Sequence, residues 1–191
     1  FLDQVKLEDA IISYKKALEI NPDFPALHNN LGNAYKKLGR LEDAMSSYSK
    51  GLALNPDYTD SLNNLGVVLN DLGQYEEAIN SFKRAIEINL NYAEAYNNLG
   101  VTYKKLGQSE EAIHSYEKAL GIDPEYADAY NNLGVVQKKL GQLDAAIVSY
   151  KKAIAINPND ADTYNNLGIA FDEQERLDDA MQSYHNAVTI Q

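Results

Sequence analysis

The sequence is built on a period of 34 residues. The segment NNLG occurs five times at this spacing, beginning at Asn29, Asn63, Asn97, Asn131 and Asn165. A fixed period of this size indicates a stacked-repeat solenoid, because one short unit cannot bury its apolar face without a neighbour of the same kind. The chain divides into a leading part, 1–24, that matches the second portion of a unit, followed by units 25–58, 59–92, 93–126, 127–160 and 161–191. The last unit lacks the end of the period, so we expect one continuous solenoid domain that resembles a piece of a longer array.

Each unit is predicted to form two helices. In the first helix, apolar or small residues occupy unit positions 3, 4, 7, 8, 10, 11 and 14, which share one face at about 100° per residue. Glycine suits the left-handed conformation that closes a helix, and it ends the first helix at Gly39, Gly73, Gly107 and Gly141. The second helix opens with acidic residues such as Glu76 and Glu77, which stabilise the positive end of a helix dipole. Proline stops a helix, and it follows the second helix at Pro22, Pro56, Pro124 and Pro158.

This pattern resembles the tetratricopeptide repeat over essentially the whole chain. The residues that carry the resemblance in the third unit are Tyr96, Leu99, Gly100, Tyr103, Ala112, Tyr116, Ala119 and Pro124. The resemblance implies an all-α fold, a right-handed superhelical solenoid of antiparallel helix pairs. It also implies that neighbouring helices approach closely at Gly32, Gly66, Gly100, Gly134 and Gly168.

A few residues depart from the family pattern. Leu90 replaces the proline between two units, and we expect it to loosen the link there. Glu175 replaces the closing glycine of the last unit, which puts the turn between its two helices in doubt. Leu69 and Gln137 replace an aromatic residue, and Gly51 replaces an alanine.

Composition and charge exclude several classes of function. The net charge of -11 argues against nucleic-acid binding, because such proteins gather Lys and Arg to neutralise phosphates. No apolar run approaches the roughly 20 residues that span a bilayer, and no signal peptide is visible. The absence of cysteine excludes disulfides and thiolate chemistry. We therefore expect a soluble chain and no membrane partner; the compartment stays open, with the cytoplasm as the default.

The sequence offers no convincing catalytic or metal site. His28, His114 and His185 lie in different units, and none has a second histidine three or four residues away. Serines recur at one position of the second helix without a Gly-x-Ser-x-Gly elbow around them. Adjacent acids, such as Asp178 with Asp179, point about 100° apart on a helix and cannot share a substrate well. We expect no catalysis by this segment, no metal and no cofactor.

The stripe opposite the packing face of the first helix is the candidate binding surface. Unit position 6 in this stripe is always asparagine, and we call these residues the ladder asparagines: Asn30, Asn64, Asn98, Asn132 and Asn166. A carboxamide offers one acceptor and two donors, so it can pair with the C=O and N–H of a peptide whatever its side chains. Asn costs about 0.6 kcal/mol relative to the best helix formers, which favours a peptide-binding role. The alternative is a tolerated polar residue that repeat duplication has copied.

Three further rows of residues complete the stripe. Position 2 is Ala26, Asp60, Glu94, Asp128 and Asp162, acids that either stabilise the helix dipole or contact a ligand. Position 9 is Asn33, Val67, Val101, Val135 and Ile169, which offer apolar contact unless an adjacent helix covers them. Position 13 is Lys37, Asp71, Lys105, Lys139 and Glu173, with further lysines one residue earlier at Lys36, Lys104 and Lys138. Acidic and basic rows in one groove predict a ligand of mixed charge.

The asparagines that stand one residue before the ladder point about 100° away from it. We call them the preceding asparagines, and they are Asn29, Asn63, Asn97, Asn131 and Asn165. We expect them to bridge neighbouring repeats or to bind terminal backbone groups.

The resemblance implies that the first helices line the concave wall of the solenoid. The inner surface is similar to that of O-linked N-acetylglucosamine transferases, which hold protein substrates in extended form along an asparagine ladder. It differs from the chaperone-tail carboxylate clamp, because position 2 is acidic here where the clamp has Lys or Arg. We expect a scaffold that binds an extended peptide segment of a partner protein. The alternatives are the substrate-recognition arm of a larger enzyme such as a glycosyltransferase, and a homo-oligomer formed through open ends at Phe1, Leu2 and the last helix.

Overall fold

The structure is a computed structural model that describes residues 2–190, with the side chains of 4–190. These residues form eleven α-helices and no strand, as the fold class predicts. The helices are α1 (Leu2–Ile20), α2 (Pro25–Lys37), α3 (Leu41–Leu54), α4 (Thr59–Asp71), α5 (Tyr75–Ile88), α6 (Ala93–Lys105), α7 (Ser109–Ile122), α8 (Ala127–Lys139), α9 (Leu143–Ile156), α10 (Ala161–Asp172) and α11 (Leu177–Ile190). The even-numbered helices are the first helices of the repeats, and the odd-numbered ones are the second helices.

The turn between the two helices of a repeat uses a left-handed residue, as predicted. Four repeats have glycine there, with φ between 72° and 77° at Gly39, Gly73, Gly107 and Gly141. In the last repeat, Glu175 takes the same conformation, with φ 59°. The Arg176 N–H still donates to the Phe171 carbonyl at 3.0 Å, as Arg40 does to Tyr35 in the first repeat. The doubt about this turn was therefore unfounded, although a non-glycine residue in this conformation is strained.

The conserved geometry extends to the link that lacks proline. The Asn89 side chain accepts the Asn91 N–H at 3.1 Å, just as Asn55 accepts the Asp57 N–H at 3.2 Å before a unit with proline. The Asn89 N–H also donates to the Ala85 carbonyl at 3.0 Å. The expectation that Leu90 loosens this link is wrong, because the polar side chain at the start of the loop, not the proline, supplies the hydrogen bond that closes the turn.

The close approach is confirmed at Gly32, Gly66, Gly134 and Gly168. A Cβ built on Gly134 would lie 2.6 Å from a ring carbon of Tyr150, and one built on Gly32 would lie 2.6 Å from Tyr48. Gly66 meets Phe82 in the same way. Any larger residue would therefore push the aromatic ring of the second helix out of the core.

The helices pack into two compact halves, Phe1–Thr102 and Tyr103–Gln191, and α6 crosses the division between them. The core of the first half includes Tyr35 and Tyr48, with Leu7 and Tyr14 of α1 packed against it. The core of the second half is built around Tyr150, with Leu167 and Phe171 of α10. Each half buries its own aromatic residues between the helices of successive repeats.

Candidate functional site

The first helices occupy the tighter side of each half. In the first half α2 contacts α4 directly, and in the second half α8 contacts α10. Within the described residues, no comparable contact joins α1 to α3, α3 to α5 or α9 to α11. Successive first helices are therefore closer together than successive second helices, and the candidate stripe lies on the inner side of each half.

The ladder asparagines are hydrogen-bonded to the preceding asparagines of the neighbouring repeat. In each of three pairs the side-chain N–H of the ladder residue donates to the side-chain oxygen of the residue 35 positions earlier. The pairs are Asn64 with Asn29 at 3.4 Å, Asn98 with Asn63 at 3.0 Å, and Asn166 with Asn131 at 3.0 Å. The expectation that the preceding asparagines bridge neighbouring repeats is confirmed for these pairs.

This bond changes what a ladder asparagine can offer. It uses one of the two amide N–H groups and fixes the plane of the carboxamide, while the second N–H stays available. Asn64, Asn98, Asn132 and Asn166 are half-buried. Asn30 is exposed and has no such bond to a described residue. The three bridged residues, Asn64, Asn98 and Asn166, can therefore offer a peptide one amide N–H and not two.

Two ladder asparagines accept hydrogen bonds from lysines of the first helices at their side-chain oxygens. Lys36 Nζ donates to Asn64 Oδ1 at 3.3 Å, and Lys104 Nζ donates to Asn132 Oδ1 at 3.0 Å. Burial lowers the pKa of both lysines. Sequence reasoning missed this contact, although its signal is present as a lysine 28 residues before each of the two asparagines.

Two acids of the position-2 row accept hydrogen bonds from other side chains of the protein, and the bond at Glu94 joins two repeats. Glu94 Oε1 accepts the side-chain N–H of Asn63 at 3.0 Å, and Asp60 Oδ1 accepts the Tyr92 hydroxyl at 3.3 Å. Asp128 and Asp162 are exposed. Ala26, the first member of the row, is half-buried. Two of the four acids thus have a structural role that neither reading of the sequence anticipated.

The position-9 row is partly covered by neighbouring helices. Val67, Val101, Val135 and Ile169 are half-buried. Val135 packs against the core of the second half. Asn33 Oδ1 accepts the hydroxyl of Tyr48 at 2.6 Å. The predicted apolar contact for a ligand is therefore reduced, at least at Val135, because an adjacent helix already uses that side chain.

The position-13 row lies at the solvent-facing end of the first helices. Its members Lys37, Asp71, Lys105, Lys139 and Glu173 are all exposed. Glu173 forms an ion pair with Lys138 at 3.1 Å. The row therefore presents charges of both signs along the stripe, and Glu173 is already paired inside the chain.

The three histidines lie apart, and no group of His, Asp and Glu in the described part of the chain could hold a metal ion. His114 and His185 are exposed, whereas His28 is half-buried with Nε2 2.9 Å from the Pro22 carbonyl oxygen. Among residues 2–190, no helix has the length and apolar character needed to cross a membrane.

Comparison with known sequence families accounts for the repeat. Profiles described as tetratricopeptide repeat match residues 59–125, 25–58, 115–148 and 161–191, and one described as TPR repeat matches 1–39 and 138–174. The chain belongs to the tetratricopeptide repeat family. It is thus an all-α repeat solenoid of a family that provides scaffolds for protein–protein interaction. The search of curated proteins found no match to this chain.

Solved tetratricopeptide repeat structures share this fold. The crystal structure of MamA is 30% identical in sequence, with a TM-score of 0.74, over 84% of this chain and 94% of that one. YrrB, described as a TPR protein with an unusual peptide-binding site, is 24% identical, with a TM-score of 0.70, over 93% and 92% of the two chains. The pilF protein of Pseudomonas aeruginosa is 20% identical, with a TM-score of 0.80, over 97% of this chain and 78% of that one. The last two likenesses concern the fold alone.

Proposed function

We propose that this tetratricopeptide repeat chain holds an extended segment of a partner protein along the inner side of its first helices. The observation that carries the proposal is the ladder itself, in which a neighbouring asparagine holds the carboxamides of Asn64, Asn98 and Asn166 in a fixed orientation. The resemblance to the asparagine ladder of O-linked N-acetylglucosamine transferases supports it, as does the peptide-binding site named for YrrB. The absence of catalysis by this chain stays a prediction.

The spacing of the ladder fits an extended peptide. First helices that stack about 9–10 Å apart meet a chain that advances about 3.3 Å per residue at about every third residue. A net gain of about 0.5–1.5 kcal/mol per hydrogen bond gives roughly 3–7 kcal/mol over five ladder positions before ordering costs. The bond to the preceding asparagine reduces those costs, because the carboxamide is already oriented. We expect affinities from micromolar to millimolar.

The test compares two sets of substitutions for binding to a random library of peptides about 15 residues long. In the ladder variant, alanine replaces Asn30, Asn64, Asn98, Asn132 and Asn166. In the matched control, alanine replaces the preceding asparagines Asn29, Asn63 and Asn131. Both variants lose the asparagine pairs between repeats, but only the ladder variant loses the groups that face the peptide.

We expect the ladder variant to lose binding across many sequences, while the control keeps most of it. Circular dichroism and urea unfolding establish that both variants are folded. Equal loss in the two variants would mean that the asparagines act through repeat packing, and unchanged binding by the ladder variant would refute the proposal.

One observation favours self-association as a second candidate function. On α11 the side chains of Leu177, Met181 and Val188 are 61%, 69% and 73% exposed. Their spacing places them on one side of the helix, where they form an apolar stripe. The other expected end face, at Phe1 and Leu2, lies outside the residues and side chains that the structure describes. Sedimentation velocity over a range of concentrations, with Met181→Lys as the variant, tests this candidate: a mass that stays monomeric in the unsubstituted chain would refute it.

A further inference from the structure

Three first helices carry a lysine at unit position 12, and the three ammonium groups differ in their surroundings. Lys138 Nζ forms an ion pair with Glu173 at 3.1 Å. Lys36 Nζ binds Asn64 and lies close enough to Glu94 and Asp71 for both carboxylates to act on its pKa. Lys104 Nζ binds Asn132 at 3.0 Å, and no described carboxylate lies within ion-pair distance of it.

The repeat explains why Lys104 differs from Lys36. The residue equivalent to Asp71 is Lys139, which has the opposite charge, and the residue equivalent to Glu94 is Asp162, which is one methylene shorter. Asp128 stands one helical turn before Asn132, but it is exposed and forms no ion pair with Lys104 among the described contacts. The same lysine–asparagine pair is thus balanced by acids in the first half and left without them in the second half.

A half-buried ammonium without a counter-charge is costly. Burial lowers the pKa of Lys104, and the neighbouring positive charge of Lys105 lowers it further, with no acid acting in the opposite direction. An anion placed at this position would recover part of the lost solvation, and hydrogen bonds to charged groups are stronger than those between neutral groups. The surroundings of Lys104 therefore favour a negatively charged ligand group. This local preference is opposite to that of the protein as a whole, whose net charge is -11.

We propose that Lys104 and Asn132 form a subsite that accepts the carboxylate of an Asp or Glu side chain in the bound peptide. Asn132 holds one of the three ammonium N–H groups and leaves two for the incoming carboxylate. Because Asn132 is also a ladder residue, the acidic side chain lies next to a point where the peptide backbone is held. The subsite rests on the proposed peptide groove and gives it a sequence preference, since the net negative charge of the protein repels acidic peptides everywhere else.

The test uses the same random peptide library with the unsubstituted chain and two matched variants, Lys104→Met and Lys36→Met. Bound peptides are sequenced, and the best acidic peptide is then compared with its counterpart in which Asn or Gln replaces the acid. We expect the unsubstituted chain to bind the acidic peptide about tenfold more tightly than the amide counterpart. K104M should abolish this preference without abolishing binding, K36M should keep it, and Lys104→Arg should restore it.

The outcomes distinguish failure of the acidic subsite from failure of the peptide groove. If the unsubstituted chain binds peptides without preferring acids, or if K104M keeps the preference, the subsite is refuted while the groove stands. Equal loss of the preference in K36M and K104M would also refute it, because the effect would then be a general one of positive charge. If no peptide binds at all, both proposals fail. Circular dichroism checks the fold of each variant, and Lys104→Gln serves as a second neutral substitution.

Discussion

The hydroxyl group of Tyr150 should destabilise the protein, so Tyr150→Phe is expected to raise its stability. The Tyr150 side chain is fully buried, and its hydroxyl has no hydrogen-bond partner. The corresponding hydroxyl in the first repeat, that of Tyr48, donates to Asn33 at 2.6 Å. Val135 stands where Asn33 stands in the first repeat, and a valine side chain offers no acceptor.

The magnitude follows from the cost of an unpaired polar group. A buried hydroxyl without a partner costs about 1–3 kcal/mol of desolvation, so Tyr150→Phe should raise the free energy of unfolding by about 1 kcal/mol or more. Tyr48→Phe should lower it by about 0.5–1.5 kcal/mol, the net value of a hydrogen bond. The second repeat already has Phe82 at this position, with its ring packed on Gly66, so the ring fits without the hydroxyl.

Urea unfolding followed by circular dichroism measures both changes. Because neighbouring repeats unfold as coupled units, hydrogen exchange of the α8 and α9 amides provides a local measurement. A third variant, Val135→Asn, supplies the missing acceptor, and its double-mutant cycle with Tyr150→Phe should show a coupling of about 1 kcal/mol. If Tyr150→Phe lowers stability as much as Tyr48→Phe does, the Tyr150 hydroxyl has a partner and the reasoning is wrong.

Three further predictions follow from particular residues. Leu90→Pro should raise the free energy of unfolding by about 0.4–1 kcal/mol, because Leu90 is 70% exposed and the link around it has the same turn as the links that contain proline. A lower midpoint of urea unfolding in this variant would show that proline does not fit there. Glu175→Gly should stabilise the chain by about 1 kcal/mol, because it relieves the left-handed strain at φ 59°; an unchanged urea midpoint would contradict this. Burial raises the pKa of Tyr48, Tyr116 and Tyr150 above the ordinary 10.0. The folded state therefore holds protons that the unfolded chain releases, so stability should be constant below about pH 10 and fall above it; tyrosinate absorbance that rises at the ordinary pKa in the folded protein would refute this.

The sequence was sufficient for the repeat and for the elements within it. The 34-residue period, the glycine at each turn and the aromatic residue opposite the first-helix glycine are all one-dimensional patterns with a single structural solution. Glu175 shows where such reasoning becomes too strict. The packing of the helix pairs determines the conformation of the turn. The strain of one left-handed non-glycine residue, about 1 kcal/mol, is too small to change it.

The site was less predictable because its contacts join different repeats. A helical wheel gives the direction of a side chain within one helix, but it does not say which side chain of the next repeat lies within reach. Lys104 and Asn132 are 28 residues apart, and Asn98 and Asn63 are 35 apart. The preceding asparagines were predicted to bridge because they point away from the stripe. Their partners could be found only from the distance between neighbouring first helices.

The pairing of asparagines also changes the argument for a ligand. The helix-propensity cost of about 0.6 kcal/mol favoured a binding role when no other benefit was visible. A hydrogen bond between repeats returns about 0.5–1.5 kcal/mol, which by itself offsets that cost at Asn64, Asn98 and Asn166. The recurrence of asparagine at unit position 6 is therefore no longer an argument for peptide binding. The proposal now depends on the second amide N–H, which the pairing leaves without a partner. Only the comparison of the ladder variant with the preceding-asparagine control measures its contribution separately from the pairing.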